Sequence, residues 1–269
     1  MRKYNDSMGL RFCVLGSSSS GNAIWVASAT TQVLVDAGLS ARTIEHRLDA
    51  LGTSVSLIDA VVLTHEHADH VHALPVLHRR YGVRVYANEG TREALRIDPR
   101  FNSLRWVQFI TGQGFRIGDL QFWPFSVPHD ACDPVGFVVT DGSVDVGIAT
   151  DLGTPTELVC QRLRPCRALV LEANHDEMLL RNSNRPWSLK QRILSRHGHL
   201  SNADAADLIA LVAGRHLSDV FLAHLSQECN HPTYAEQAVC ELLQERGCSH
   251  VRVHLTYPDR PSKVWDSCE

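Results

Sequence analysis

Leu63-Thr64-His65-Glu66-His67-Ala68-Asp69-His70 follows directly on the apolar run Ala60 to Leu63. Imidazole and carboxylate are the donors that borderline divalent cations such as zinc and manganese accept. Positions two apart in an extended segment share a side, so His65 and His67 project together. Once the chain turns at Ala68, Asp69 and His70 reach a second point close by. A strand, a turn and four donors at this spacing predict a metal loop on an α/β scaffold, against the alternative of a solvated polar loop in a chain with 15 histidines.

The 269 residues, 44% hydrophobic and 21% charged, suffice for one substantial α/β core. The expected organisation is one domain over residues 8–269 with a polar N-terminal extension, disordered over residues 1–7. A formal charge of -4 gives no overall basic field for nucleic acid. Bound metal, however, would supply positive charge locally. No apolar run has the length of a membrane span, and the first residues lack a secretory h-region. The eight cysteines contain no C-x-x-C pair. Cys13 and Cys240 stand in apolar contexts that predict burial, and reduced thiols in a cytoplasmic protein are expected.

Short apolar runs over Leu10–Leu15, Ala23–Ala27 and Gln32–Asp36 predict an opening meander of strands. Ser40 is a candidate N-cap for a helix to about Leu51, and a helix is expected from about Val71 to Tyr81, ending at Gly82. Arg84–Ala87 reads as a strand and Thr91–Arg96 as a short helix. The stretch Val107–Ala149 is strand-rich. Ala168–Glu172 and Asp219–Ala223 are later strands, with helices capped by Ser201 and Thr233 after them. Two strand-rich halves interleaved with helices predict an α/β fold of four layers, αββα.

Further donors stand where strands end: His129 after Phe122–Val127, Asp151 after Val146–Thr150, and His224 after Val220–Ala223. Singly, each has an ordinary explanation. His129 could be a turn residue, Asp151 a turn former or helix cap, and His224 a hydrogen-bonded core imidazole. Added to the His65 cluster they complete what two cations need, namely three histidines with a carboxylate, and an aspartate and two histidines sharing it.

In that order of donors the chain resembles the metallo-β-lactamase fold superfamily. The resemblance implies that His65, His67 and His129 bind one cation, zinc or manganese, that Asp69, His70 and His224 bind a second, and that Asp151 bridges them. Three stretches narrow it to the YycJ/WalJ-type subgroup of phosphodiesterases and nucleases. They are Gly16-Ser17-Ser18-Ser19-Ser20-Gly21-Asn22, Leu171-Glu172-Ala173-Asn174-His175-Asp176, and Gly198-His199-Leu200-Ser201-Asn202. His224-Leu225-Ser226-Gln227-Glu228-Cys229-Asn230 is similar to that subgroup's closing motif. By similarity to tRNase Z-type nucleases, Glu172 would charge and orient His199 as proton donor to the leaving oxygen, making Asp69, Glu172 and His199 the catalytic residues.

Ser19, Ser20, Asn22, His175, Ser201 and Asn202 are the candidate substrate contacts, although a flexible turn and a plain N-cap at Ser201 would account for the same residues. The Glu-Ala-Asn-His element departs from the tRNase Z pattern, and no tRNA-grasping insertion is apparent. The implied activity is hydrolysis of DNA or RNA ends by a hydroxide held between two cations, with no membrane partner. Thioester or lactone hydrolysis of the glyoxalase II-like type and a non-catalytic metal-bound binding protein are the alternatives.

Overall fold

The computed structural model describes residues 9–269, so the expected extension over residues 1–7 lies outside the described residues. Among the described residues, fourteen strands make two sheets of seven. Strands β1 (Arg11–Gly16), β2 (Ala23–Ala27), β3 (Gln32–Val35), β4 (Ala60–Val62), β5 (Arg84–Ala87) and β6 (Trp106–Gln108) run in sequence across the first sheet. Strands β7 (Phe115–Ile117), β8 (Leu120–Ser126), β9 (Val135–Thr140), β10 (Asp145–Ala149), β11 (Ala168–Glu172), β12 (Asp219–Ala223) and β13 (Arg252–Leu255) run across the second, and β14 (Trp265–Asp266) returns to pair with β1. Each sheet starts as an antiparallel meander and becomes parallel, at β3–β4 in the first and at β10–β11 in the second. Antiparallel neighbours need only tight turns, whereas parallel ones need crossovers, and the helices are those crossovers.

The strands are apolar at consecutive positions because both faces are covered. Phe12 and Val14 of β1 point between the sheets, where they meet Phe122, Phe137 and Phe221, while Cys13 and Leu15 point to the helix side. In β11, Ala168 and Val170 face the other sheet, and Leu169 and Leu171 face helices. Three apolar layers therefore alternate with four structural ones, the αββα sandwich expected from the sequence.

Helices α1 (Ala41–Ala50), α2 (Ala68–Val71), α3 (Leu74–Tyr81) and α4 (Glu89–Leu95) belong to the first half of the chain. Helices α5 (Glu157–Leu163), α6 (Glu177–Asn182), α7 (Trp187–Ile193), α8 (Asn202–Val212) and α9 (Pro232–Glu245) belong to the second. Ser40 caps α1 through the Thr43 N–H, Gly82 ends α3 at φ 66°, and Ser201 forms a capping box with Asp204.

Four expectations are corrected. The helix expected from Val71 is two pieces, because the Ala73 N–H bonds the Ala37 carbonyl at 2.8 Å and holds the chain between them. The helix expected at Thr91 begins at Glu89, because Asn88 accepts the Thr91 N–H and is itself the cap. Thr233 is not a cap either: Pro232 takes the first helical position, where its missing N–H costs nothing, and His231 caps α9. Cys240 is exposed, since the inward face of α9 is Ala235, Val239 and Leu243.

Candidate metal centre and acid–base dyad

All the strand-end donors lie at the C-terminal edges of the two sheets, on one side of the sandwich. His65 follows β4, His129 follows β8, Asp151 follows β10, Glu172 ends β11 and His224 follows β12. His67 is the N-cap of α2, whose single turn presents Asp69 and His70. That turn is seated by Gly38, where a Cβ atom would fall 1.5 Å from the Asp69 carbonyl oxygen. Only glycine permits so close a backbone approach.

The ring nitrogens are oriented by fixed acceptors. His70 Nδ1 is 2.8 Å from Asp36 Oδ2, and His224 Nδ1 is 2.8 Å from Glu172 Oε1. His129 Nδ1 donates to the Gly198 carbonyl at 3.1 Å. Thr64 Oγ1 gives its proton to Asp36 Oδ2 and so accepts from His65 Nδ1 at 2.9 Å. With Nδ1 committed as a donor in all four, each Nε2 carries its lone pair toward the centre, the tautomer a cation requires.

The converging atoms are then too close for neutral company. His67 Nδ1 stands 3.3 Å from His129 Nε2, and His70 Nε2 stands 3.1 Å from Asp151 Oδ2. His65 Nε2, His224 Nε2 and Asp151 Oδ2 are buried and have no hydrogen-bond partner. Donors from His65, His67 and His129 fit one cation, as do those from Asp69, His70 and His224, each set within 4.8 Å. Asp151 reaches both sets, at 3.1 Å from His70 and 3.7 Å from His129. Nitrogen and carboxylate oxygen suit zinc or manganese better than calcium or magnesium.

The electrostatics agree. Burial pushes the Asp151 carboxyl upward, yet His224, His70 and His65 hold it well below the ordinary carboxylate range. Burial and neighbouring imidazoles keep His65 neutral, whereas His70 and His224, against their burial, are drawn up by Asp151 and the carboxylates beside them. The cluster is a concentration of negative charge that protons or metal must neutralise.

Glu172, fully buried, is shared between two histidines. Its Oε1 accepts from His199 Nδ1 at 2.7 Å as well as from His224, and its Oε2 accepts the Leu152 and Leu200 N–H groups at 3.0 and 3.1 Å. Burial lowers the His199 pKa, but the Glu172 carboxylate outweighs this and raises it. His199 is 20% exposed and its Nε2 has no protein partner among the described residues. It is thus charged readily and open on its outer edge.

The candidate substrate contacts divide. Ser19 and Ser20 are exposed at the rim. Asn22 is buried, with its amide committed to Ser17, Ser18 and Asp69, so it braces the metal loop. The expectation that Ser201 and Asn202 face substrate does not hold. Ser201 is the helix cap, and Asn202 is locked in a reciprocal amide pair with Asn230 at 2.8 Å. His175, 1% exposed with neither ring nitrogen hydrogen-bonded, does not line the cleft.

Sequence reasoning missed Asp36, which fixes His70, and two arginines beside His199, Arg185 and Arg192. Asp36 follows strand β3 and reads as a turn residue. The arginines had a signal, since Met178 to Ala203 contains five Lys/Arg and no Asp or Glu in a chain of net charge -4.

Residues 31–225 match the family described as the beta-lactamase superfamily domain. The chain is 34% identical over 261 residues to the exodeoxyribonuclease YycJ of Bacillus anthracis, covering 96% of this chain and 99% of that one. It is 33% identical over 258 residues to the exodeoxyribonuclease WalJ of Streptococcus pneumoniae, covering 94% and 96%. Among solved structures, the metallo-beta-lactamase fold protein YhfI of Bacillus subtilis superposes with a TM-score of 0.74 at 15% identity, covering 97% of this chain and all of that one. At that identity the likeness speaks for the fold.

Proposed function

We infer that this chain, which belongs to the beta-lactamase superfamily, is a metal-dependent phosphodiesterase that degrades DNA from its ends. The observation that carries the reading is Glu172, whose one oxygen meets both a candidate metal ligand, His224, and an imidazole open to the cleft, His199. Full-length similarity to relatives named exodeoxyribonucleases supports the substrate class. A thioester hydrolase has no use for such a proton donor at a leaving thiolate, whereas a sugar oxygen leaves poorly without one.

Two divalent cations, zinc or manganese, held by His65, His67 and His129 and by Asp69, His70 and His224 with Asp151 between, would acidify water and neutralise charge at phosphorus. The protein's own residues do the rest. Asp36 and Glu172 hold His70 and His224 in the ligating tautomer. Glu172 keeps the His199 imidazolium available, and its outer Nε2–H is placed to protonate the departing oxygen. Ser19 and Ser20 offer hydroxyls, and Ser19 its backbone N–H, to phosphate oxygens at the rim, the Ser20 N–H being held by Ser18 Oγ. A cytoplasmic setting is part of this reading, in keeping with Cys13, Cys160, Cys166 and Cys229, which are buried thiols outside any disulfide.

The test is turnover of bis(p-nitrophenyl) phosphate and of end-labelled DNA, set against a thioester, with manganese or zinc and with chelator. Chelator-sensitive shortening of DNA from its ends is expected. Thioester turnover with inert phosphodiesters would remove the reading, and so would metal binding without turnover of either.

A further inference from the structure

The stretch from Met178 to Ala203, which holds α7 and most of α6, carries five Lys/Arg and no Asp or Glu, and it lies beside His199. A cavity of about 130 Å³ lies there, lined by Ser19, Asn174, Arg185, Arg192, His199 and the Asp130 carboxylate among others. Arg192 pairs with Asp130 through Nε, and Arg185 pairs with Glu228 through Nε at 3.0 Å. Each guanidinium is thereby fixed in place by one nitrogen. The terminal nitrogens of both have no hydrogen-bond partner among the described residues. Such a pair of anchored forks is the arrangement that binds phosphate oxygens in pairs. Asp130 and Glu228 each occupy one nitrogen of an arginine and offset part of its charge, which leaves the terminal nitrogens as the donors a phosphate would meet. The space is too small for a nucleobase stacked on a ribose but holds a phosphate group.

We propose that Arg185 and Arg192, with Ser19 of the same cavity wall, form a second phosphate subsite, holding the next phosphate of the substrate strand on the leaving-group side of the scissile bond. The side follows from His199, which lines this cavity and serves the leaving oxygen; the proposal rests on the functional reading to that extent. The bound phosphate is either an internal diester or the monoester at the strand terminus.

The test compares wild type, Arg185→Ala, Arg192→Ala, Arg192→Lys and Arg181→Ala, all metal-loaded. Substrates are bis(p-nitrophenyl) phosphate, which has no second phosphate, and oligonucleotides ending in phosphate or in hydroxyl at either terminus. Binding of phosphorothioate-capped oligonucleotides is followed in parallel by anisotropy across a salt series. Each alanine variant is expected to raise KM and Kd for oligonucleotide by about 10- to 100-fold, far more than it changes the small substrate. The dependence of log Kd on log salt should flatten by about one unit per arginine removed.

Arg192→Lys should recover the salt slope but only part of the affinity, since a point charge cannot reproduce the fork. Arg181, an exposed residue paired with Glu177, should behave as wild type. Loss confined to phosphate-ended strands identifies the terminal monoester, and equal loss on all ends identifies an internal diester. Unchanged oligonucleotide Kd and salt slope in both alanine variants overturns the subsite even if turnover continues. Absence of turnover in wild type overturns the functional reading, while the binding series still decides the subsite.

Discussion

Glu172→Gln is nearly isosteric, yet the geometry says it should disable two histidines at once. The carboxylate accepts four hydrogen bonds, two from backbone N–H groups through Oε2 and two from imidazoles through Oε1. An amide can accept on one side only. Its oxygen is held by the Leu152 and Leu200 N–H groups, which cannot change their role, so its NH2 must face His199 and His224. Both imidazoles would then have to present a bare Nδ1 and carry their proton on Nε2. For His224 that removes the lone pair offered to the cation. For His199 it removes the charge that makes it a donor.

Loss of such an orienting partner costs about 10- to 100-fold in metal affinity, and loss of a general acid costs about 10²- to 10⁴-fold in rate. Stability should fall by only about 1–3 kcal/mol, the cost of mispairing buried polar groups. The assay is metal content by elemental analysis after dialysis, alongside turnover of DNA and of bis(p-nitrophenyl) phosphate. One equivalent of metal should be lost selectively, with DNA cleavage reduced more than cleavage of the activated ester. Full metal content with DNA turnover within twofold of wild type would refute the shared-acceptor role.

Asp151→Ala should lower occupancy of both cation positions, as dialysis and elemental analysis would reveal; two full equivalents in that variant would contradict the bridge. His199→Ala should keep its metal and slow DNA cleavage by about 10²- to 10⁴-fold while sparing p-nitrophenolate release, whose leaving group needs no proton; equal losses would make His199 a positioning residue. Asp36→Ala frees His70 Nδ1 and should weaken the second cation by about 10-fold, measured by competition with a chromogenic chelator.

Asp219→Asn, far from the site, should destabilise by about 2 kcal/mol at neutral pH, since this buried carboxylate meets Arg252, His254, Ser218 and Trp265. Those partners outweigh its burial and hold its pKa well below the ordinary value. The stabilisation is therefore present above ~pH 4 and is lost as pH falls toward the folded-state pKa, so wild type and variant should converge in acid denaturation.

Much of this was legible in the chain. The His65–His70 donors meet through spacing alone, with no long-range contact to infer. His129, Asp151 and His224 were visible because a polar residue that ends an apolar strand in an α/β sheet stands at the edge where ligands bind. Less visible were residues whose role depends on a distant partner. Asn22, read as a substrate contact, lies buried against Asp69, 47 residues on. Asp36 looks like any aspartate after a strand until His70 is set beside it. Arg185 and Arg192 are anchored by Glu228 and Asp130, 43 and 62 residues away, and only the acid-free run hinted at them. The short helices α5, α6 and α7 have too few turns for a periodic signal.

The two departures from ordinary backbone geometry bear on the same point. Asp36 at φ 62° and His224 at φ 55° are the non-glycine residues that adopt the left-handed region among those described. Such conformations are costly away from glycine and persist where the surroundings over-determine them. Asp36 is held by the Thr64 N–H and hydroxyl and by His70, and His224 by Ser17 Oγ on its N–H and by Glu172 on its ring. Each stands at the first step out of a strand, β3 in one sheet and β12 in the other. A continuing strand would carry the next side chain past the centre, and the left-handed turn redirects it inward. The strain thus falls at two points where the two sheets supply the proposed second cation site, one through the acceptor of His70 and the other through His224 itself. Relaxing either backbone should move the cation rather than unfold the sandwich.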